Sequence, residues 1–218
     1  MARITTITQV LEAVHRKYEG DTNYPSAGSE DHTLRLEHAN DGIGIWESEA
    51  LDGDIIWPQL LAQATVTAGG GGADDLPSDF LATYRHSDSQ QSYCTSGDTT
   101  YRQVTAGVGQ WRKKENIATE PVFWIEGDKL HTFPVATTDI TLPYLRQATR
   151  YDTGTESTPI DVPDGYYLVY YVLSQLYLGD RDTAQMDYNL GRSEDLMAKM
   201  KRGAINTHAA EDDFVIGT

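Results

Sequence analysis

The chain has 218 residues, a length that suits one generous domain or two small ones. Its composition, 39% apolar and 23% charged, is globular, and no apolar run approaches the ~20 residues of a membrane span. A formal net charge of −16 argues against a protein that grips nucleic acid, since phosphate binding needs a basic surface. The N-terminus has no apolar signal core, and a single cysteine excludes an internal disulfide and indicates a reducing compartment.

Two helices are predicted in the first quarter of the chain. The first covers 4–19 and ends at Gly20, a residue suited to a C-terminal cap. Its apolar face is formed by Ile4, Ile7, Val10, Leu11, Val14 and Tyr18. The second covers 30–51 and contains Gly42 and Gly44. These glycines either weaken the helix or permit close contact with another helix.

The middle, from about 57 to 150, is rich in Thr, Val, Tyr and Gly and has no helical periodicity, which indicates strands. Glycines 69–72 predict a flexible loop, and the polar segment 85–98 predicts another. Pro143 favours an edge position for its strand because proline cannot donate to a sheet ladder. The predicted strands are 60–67, 99–104, 121–125, 129–133 and 141–148, the third and fourth joined by a hairpin at 126–128.

Two further helices are predicted near the end of the chain. Segment 164–178 is apolar on every side, so other elements must surround it. Segment 181–202 follows Asp180, a suitable N-cap, and ends at Gly203. Its single apolar stripe consists of Met186, Leu190, Ser193, Met197 and Met200.

These elements predict an α+β fold. Residues 1–56 and 160–203 are expected to form a helical bundle, 57–159 a β-rich insertion, and 204–218 an extended C-terminal tail that docks on a partner. Segments distant in sequence then close over one shared core, and identical neighbours complete the burial.

No group of residues indicates catalysis, a metal site or a cofactor. Cys94 lies in a Ser/Thr/Gly-rich stretch without an oxyanion motif. His32 and His38 are six residues apart, which fits neither HExxH nor a zinc-finger pair. Carboxylates acting as a hydrolase pair stay open as an alternative, because their spacing is spatial rather than sequential.

Two segments are candidate contact sites. Trp111-Arg112-Lys113-Lys114 is a basic cluster beside an aromatic residue, suited to a contact with another subunit or with DNA. The tail carries Phe214-Val215-Ile216 behind acidic residues, a pattern suited to adding a strand or an apolar anchor to a partner.

Two stretches carry a resemblance to a known family. Segment 57–66 leads through a glycine-rich turn to the Leu-Pro-x-Asp-Phe motif of 76–80. Segment 163–177 is followed by Gly-Asp-Arg-Asp-Thr-Ala at 179–184 and by a striped helix that ends in Met-x-x-x-Lys-Arg. In this combination the chain resembles the head-to-tail adaptor, or connector, proteins of tailed bacteriophages.

The resemblance implies a non-enzymatic virion protein of the neck, assembled in the host cytoplasm without contact with a membrane. It implies a ring of twelve copies that joins the portal to a tail or stopper protein and lines the DNA channel without binding DNA specifically. The residues expected to dock on the portal are Lys199, Arg202, Ile205, Phe214, Val215 and Ile216. A tail terminator or tail-tube protein, which would be dominated by β structure, is the alternative.

Overall fold

The computed structural model describes residues 3–51, 55–85 and 91–212, with side chains described as far as Ala204. Within these residues the chain has five α-helices and one curled sheet of eight strands, which confirms the predicted α+β class. It divides into two compact units. The helical unit combines Met1–Gln59 with Ala148–Thr218, and the sheet unit is Leu60–Gln147.

Along the chain, two helices are followed by five strands, a short helix, three more strands and two final helices. The helices are α1 (Ile7–Tyr18), α2 (Glu30–Leu51), α3 (Ala106–Lys114), α4 (Gly165–Gly179) and α5 (Thr183–Asp212). The strands are β1 (Leu61–Val66), β2 (Ala73–Asp75), β3 (Phe80–Thr83), β4 (Tyr93–Ser96), β5 (Thr99–Gln103), β6 (Val122–Glu126), β7 (Lys129–Phe133) and β8 (Ile140–Arg146).

Helix α1 starts three residues later than predicted because Thr6 is its N-cap. Thr6 has extended backbone angles, and its hydroxyl oxygen accepts a hydrogen bond from the backbone N–H of Gln9 at 3.3 Å. The predicted cap at Gly20 is confirmed, since this glycine has a φ of 78°, in the left-handed region. The apolar face from Ile7 to Val14 is buried.

Helix α4 is enclosed, as its all-round apolar sequence predicts. Every residue from Gly165 to Tyr177 is buried or half-buried. A Cβ on Gly42 of α2 would lie 2.8 Å from Cδ1 of Tyr171, so the glycine permits close approach of α2 and α4. The Tyr167 hydroxyl donates to the Gly42 carbonyl at 3.0 Å. Of the two interpretations of Gly42, close helix contact is therefore confirmed.

Helix α5 differs from its prediction at both ends. Its N-cap is Asp182, whose carboxylate accepts a hydrogen bond from the backbone N–H of Gln185 at 3.1 Å. Asp180 instead caps the C-terminal end of α4. The helix also continues through Gly203 to Asp212, so the prediction of an extended tail is wrong for 204–212. Glycine inside a helix costs only about 1 kcal/mol relative to alanine, which is too little to end a long packed helix. The predicted stripe is confirmed where Ser193, Met197 and Met200 are buried.

The sheet has the strand order β1-β8-β4-β5-β6-β7-β2, with β3 paired to β8. Among the described strands, the one parallel pair is β5 and β6, and the connection between them contains α3. Parallel neighbours need a crossover connection, and α3 provides it. The prediction that segment 57–150 contains no helix is therefore wrong at α3. This helix has only nine residues, two of them glycines, so it shows too few apolar side chains to reveal a helical period.

The predicted loop 85–98 is wrong in its last part, where β4 lies; residues 86–90 are outside the described ranges. The burial of β4 alternates, with Cys94 and Ser96 inside and Thr95 exposed. Ser96 can enter the core because its hydroxyl donates to the Thr138 carbonyl at 2.7 Å. A strand whose inward residues are polar but satisfied does not show the usual apolar alternation.

Strand β8 is central, so the edge position predicted from Pro143 is also wrong. It pairs with β1 on one side and with β3 and β4 on the other. The pairing with β4 covers Thr141 and that with β3 covers Tyr144, and neither strand pairs with Pro143 among the described residues. Pro143 lies between the part of β8 that pairs with β4 and the part that pairs with β3. The N–H that proline lacks is therefore not needed by a partner strand on that side.

Candidate interaction surfaces

The basic side chains near the C-terminal end of α5 differ in their surroundings, one being paired with α2 and two being exposed. Lys201 lies against α2, where its Nζ contacts Glu49 Oε2 at 2.5 Å, and Met200 beside it is buried. Lys199 and Arg202 are exposed and three residues apart, so they share a helix face. The structure thus brings together Lys199 and Arg202 of the predicted docking set. Ile205 continues the α5 backbone, whereas Phe214, Val215 and Ile216 lie outside the described residues.

The cluster predicted at 111–114 lies on α3, but its four side chains do not act as one patch. The Trp111 side chain is exposed, with a relative accessibility of 53%. Val108, one turn earlier, is also exposed, at 42%. Arg112 is turned away from them. Its guanidinium donates to the carboxylate and to the main-chain carbonyl of Glu120, both at 3.1 Å. Arg112 therefore ties the helix to the segment that enters β6.

Helix α3 is held firmly against the sheet. A Cβ on Gly109 would lie 2.3 Å from the Trp124 ring, so only glycine allows the helix to approach β6 so closely. The Gln110 amide donates to both carboxylate oxygens of Glu126 at 2.9 Å. Trp124 in turn stacks on His131 of β7, with ring centroids 5.1 Å apart. The exposed face of α3 is thus displayed from a fixed base.

On that outer face, side chains follow helical geometry. At 100° per residue, Lys114 lies one turn beyond Trp111 on the same side, and Lys113 points roughly the opposite way. Both lysines are exposed, and neither has an ion pair in the part of the chain that the structure describes. A helix at 106–114 was not predicted, so the sequence did not reveal the pairing of Val108 with Trp111; their three-residue spacing would have shown it.

A groove of about 350 Å³ lies in the sheet unit between the edge strand β1 and the segment after β2. Its walls are residues 64–67 on one side and 75–77 on the other. Ala64 and Leu76 of the lining pack against the buried core of the sheet, and Thr65 and Thr67 add polar groups to it. The carboxylate of Asp75 stands at the rim, bridged to Lys129. The sequence did not predict this groove, because it forms only when the sheet curls.

The helical unit contains a buried polar cluster around Arg35. Its guanidinium donates to His15 Nδ1 at 2.8 Å and contacts Glu19 at 3.0 Å. Because Nδ1 accepts, His15 Nε2 carries the proton and donates to Asp21 at 2.7 Å. The backbone amide of Asn23 and the His15 ring hold the pKa of Asp21 below its usual value. Every polar group named here has a partner, so the cluster is structural.

The described ranges contain neither a cluster of metal-ligand residues nor an exposed cysteine. They contain no group of three or more His, Cys, Asp or Glu residues placed to hold a metal ion. Cys94 is buried in the sheet core, and burial raises the pKa of its thiol to about 12. The reactive thiolate is therefore scarce at neutral pH.

This burial predicts that native Cys94 reacts slowly with a thiol reagent. At pH 8, about four units below a pKa of about 12, the thiolate is roughly one part in ten thousand. Ellman's reagent should label one thiol rapidly in denaturant and far more slowly in the native protein. Equal rates in both states would contradict the burial of Cys94.

Across the described helices, none combines the length and the apolar character that a membrane crossing requires. A family model described as "SU10 adaptor protein" matches residues 5–213, which is nearly the whole chain and spans both units. No curated protein matches the sequence.

Proposed function

The chain belongs to the SU10 adaptor protein family, structural proteins of the phage virion, and from this premise we propose that its copies form a ring that joins the portal to the tail. The family match confirms the resemblance to phage head-to-tail adaptors. It also makes the protein a virion component that interacts with other head or tail proteins. The match over residues 5–213 is the observation that carries the proposal.

The balance of secondary structure supports an adaptor over the alternatives. A tail terminator or tail-tube protein would be dominated by β structure, whereas the described helices of this chain contain more residues than its strands. The family is a structural one and not an enzyme family, so a hydrolase is not favoured.

We further propose that the end of α5 and the residues after it dock on the portal. Helix α5 has 30 residues and is therefore about 45 Å long at 1.5 Å per residue. Its C-terminal part displays Lys199 and Arg202, and Ile205 with Phe214–Ile216 supplies apolar residues beyond them. In this arrangement 204–218 is the docking segment and the other face of the ring receives a tail or stopper protein.

The acidic balance fits a conduit for DNA. A ring of twelve chains that each carry −16 repels phosphate, so genomic DNA would slide through without adhering. No specific DNA contact is part of this proposal.

The test is to mix the purified protein with purified portal and to examine the product by electron microscopy. We expect a ring stacked on the portal ring, with twelvefold symmetry. Removing 213–218 leaves the described helix intact, and combining Lys199→Glu with Arg202→Glu reverses two exposed charges. Each change should weaken portal binding by at least about tenfold, which corresponds to about 1.4 kcal/mol.

A change of Arg192 to Glu is the matched control for charge, because Arg192 is exposed on α5 well before its C-terminal end. It should leave portal binding unchanged. Portal binding that survives both the truncation and the charge reversal would contradict docking by this segment, while a ring on the portal would still support the adaptor function.

A further inference from the structure

The exposed face of α3 and the groove beside β1 have complementary properties. The first is an apolar projection with one lysine, and the second is a recess with both apolar and polar lining residues and the carboxylate of Asp75 at its rim. We propose that α3 of one copy docks into the groove of the neighbouring copy, and that this contact joins successive subunits. The inference rests on the proposed ring and names the two surfaces that build it.

The projecting side consists of Val108, Trp111 and Lys114. A half-exposed tryptophan on a helix that is held against a sheet is already ordered, so little side-chain entropy is lost when it docks. Tryptophan is among the residues that most often dominate the energy of protein interfaces. Val108 and Trp111 are the exposed large apolar side chains of the sheet unit within the described residues.

The recess is bounded by a strand edge that invites a partner. Strand β1 pairs only with β8 among the described strands, so its other edge is open. It contains no charged residue, proline or bulge, the devices that usually protect an edge from association. Ala64 and Leu76 of the lining are half-buried apolar residues that a docked side chain would cover further.

Charge favours a second copy of this chain as the occupant. Asp75 lies at the rim and is paired with Lys129. This hydrogen bond, together with the nearby carboxylates of Asp128 and Asp74, raises the pKa of Lys129, so the surroundings of that single ammonium carry more negative than positive charge. The net charge of −16 makes most pairs of surfaces on two copies repel each other. Lys114, on the outer face of α3, has no ion pair within the described residues, and its charge is opposite to that of Asp75.

A DNA contact is less well supported by the same residues. Phosphate binding needs several cations that converge on the backbone. Arg112 is committed to Glu120, Lys113 points away from Trp111, and Glu115 adds an exposed carboxylate next to Lys114. An apolar surface with one lysine is better suited to a protein partner.

The two surfaces are different parts of the sheet unit, so the contact is heterologous. Heterologous contacts between identical chains produce rings when their rotation closes. One contact of this kind, repeated around the axis, would join all subunits of the proposed ring, so disrupting either surface should impair its assembly.

A disulfide between copies tests the contact directly. Val108→Cys and Thr65→Cys are combined in the full chain, where both sites are exposed and the natural Cys94 is buried. Oxidation of the assembled protein should link successive subunits into a ladder of covalent oligomers that reductant dissolves. Val108→Cys combined with Thr100→Cys, an exposed site on β5, is the matched control and should give no ladder.

Charge exchange provides the second test. Lys114→Asp and Asp75→Lys should each raise the concentration needed for assembly about fivefold, and the double variant should restore it. Lys113→Asp makes the same charge change on the opposite side of the helix and should have no effect. Trp111→Ala should weaken assembly by at least about thirtyfold.

The outcomes separate this contact from the proposed function. Rings that form normally in every variant and give no ladder would overturn the α3 contact and leave the ring itself standing. A chain that stays monomeric with and without portal would contradict the ring and the contact together. If Lys114→Asp lowers retention on DNA at low salt but leaves assembly unchanged, α3 is a DNA contact and the inference is wrong.

Discussion

Replacing Trp57 by alanine is expected to lower the free energy of unfolding by about 3–5 kcal/mol. The Trp57 side chain is completely buried, and its ring lies 5.2 Å from that of Trp46, centroid to centroid. Its indole N–H donates to the Trp46 carbonyl at 2.9 Å. The substitution leaves a large cavity and removes the hydrogen bond from the indole to the Trp46 carbonyl, and each effect destabilises the helical unit.

Urea denaturation followed by circular dichroism at a helix-sensitive wavelength measures this change. Trp111→Ala is the matched control, because it removes the same side chain from an exposed position. In the unassembled chain, measured at low protein concentration, that control should change the free energy of unfolding by no more than about 0.5 kcal/mol. Similar losses for both variants would contradict the burial of Trp57 or the exposure of Trp111.

Replacing Gly165 by alanine is expected to destabilise the protein by about 1–3 kcal/mol, although alanine is the better helix former. A Cβ on Gly165 would lie 2.6 Å from Cγ2 of Ile4 and 2.8 Å from the Ile4 carbonyl oxygen. The carbonyl belongs to the backbone and cannot turn aside as a side chain can. The start of α4 or the segment before α1 must therefore move.

Gly191→Ala is the control for this prediction, since Gly191 lies within α5 and a Cβ there meets nothing within 4 Å. It should raise the free energy of unfolding by about 0.4–1 kcal/mol by restricting the unfolded chain. Thermal melts of the two variants should therefore shift in opposite directions. A stabilised Gly165→Ala variant would show that Ile4 does not pack against the start of α4.

Assembly and folding should respond to different tryptophans. Trp57 and Trp111 have the same chemistry, but one fills the helical unit and the other projects from α3. Loss of Trp57 should reduce stability before any effect on the ring is seen, whereas loss of Trp111 should leave a folded chain that assembles poorly. Measuring both properties on both variants separates packing from recognition.

The helices could be predicted from the sequence where their pattern is local. The apolar face of α1, the length of α2 and the all-round apolar surface of α4 are visible because side chains three and four residues apart share a face. Strands β6 and β7 are likewise predicted from a local signal, two short strand-forming runs joined by the glycine-containing turn 126–128. In each case the signal lies within about 20 residues, and tertiary contacts do not alter it.

Elements whose stability comes from distant partners were missed or misjudged. Strand β4 has a polar inward residue that is satisfied by Thr138, 42 positions away. Helix α3 exists as the crossover between two parallel strands, and its Gly109 is explained only by Trp124. The central position of β8 depends on which strands reach the two sides of Pro143. None of these partners is adjacent in sequence, so a local pattern cannot contain them.

For the interaction surfaces, the same division holds. The sequence by itself determined the α+β class, the acidic balance, the resemblance to phage adaptors and the choice of Trp111 as a contact residue. Only the tertiary structure decided that Arg112 turns inward, that Val108 joins Trp111, and that β1 borders a groove. Composition and periodicity depend on the order of residues, whereas a surface is made by residues that folding brings together from separate segments.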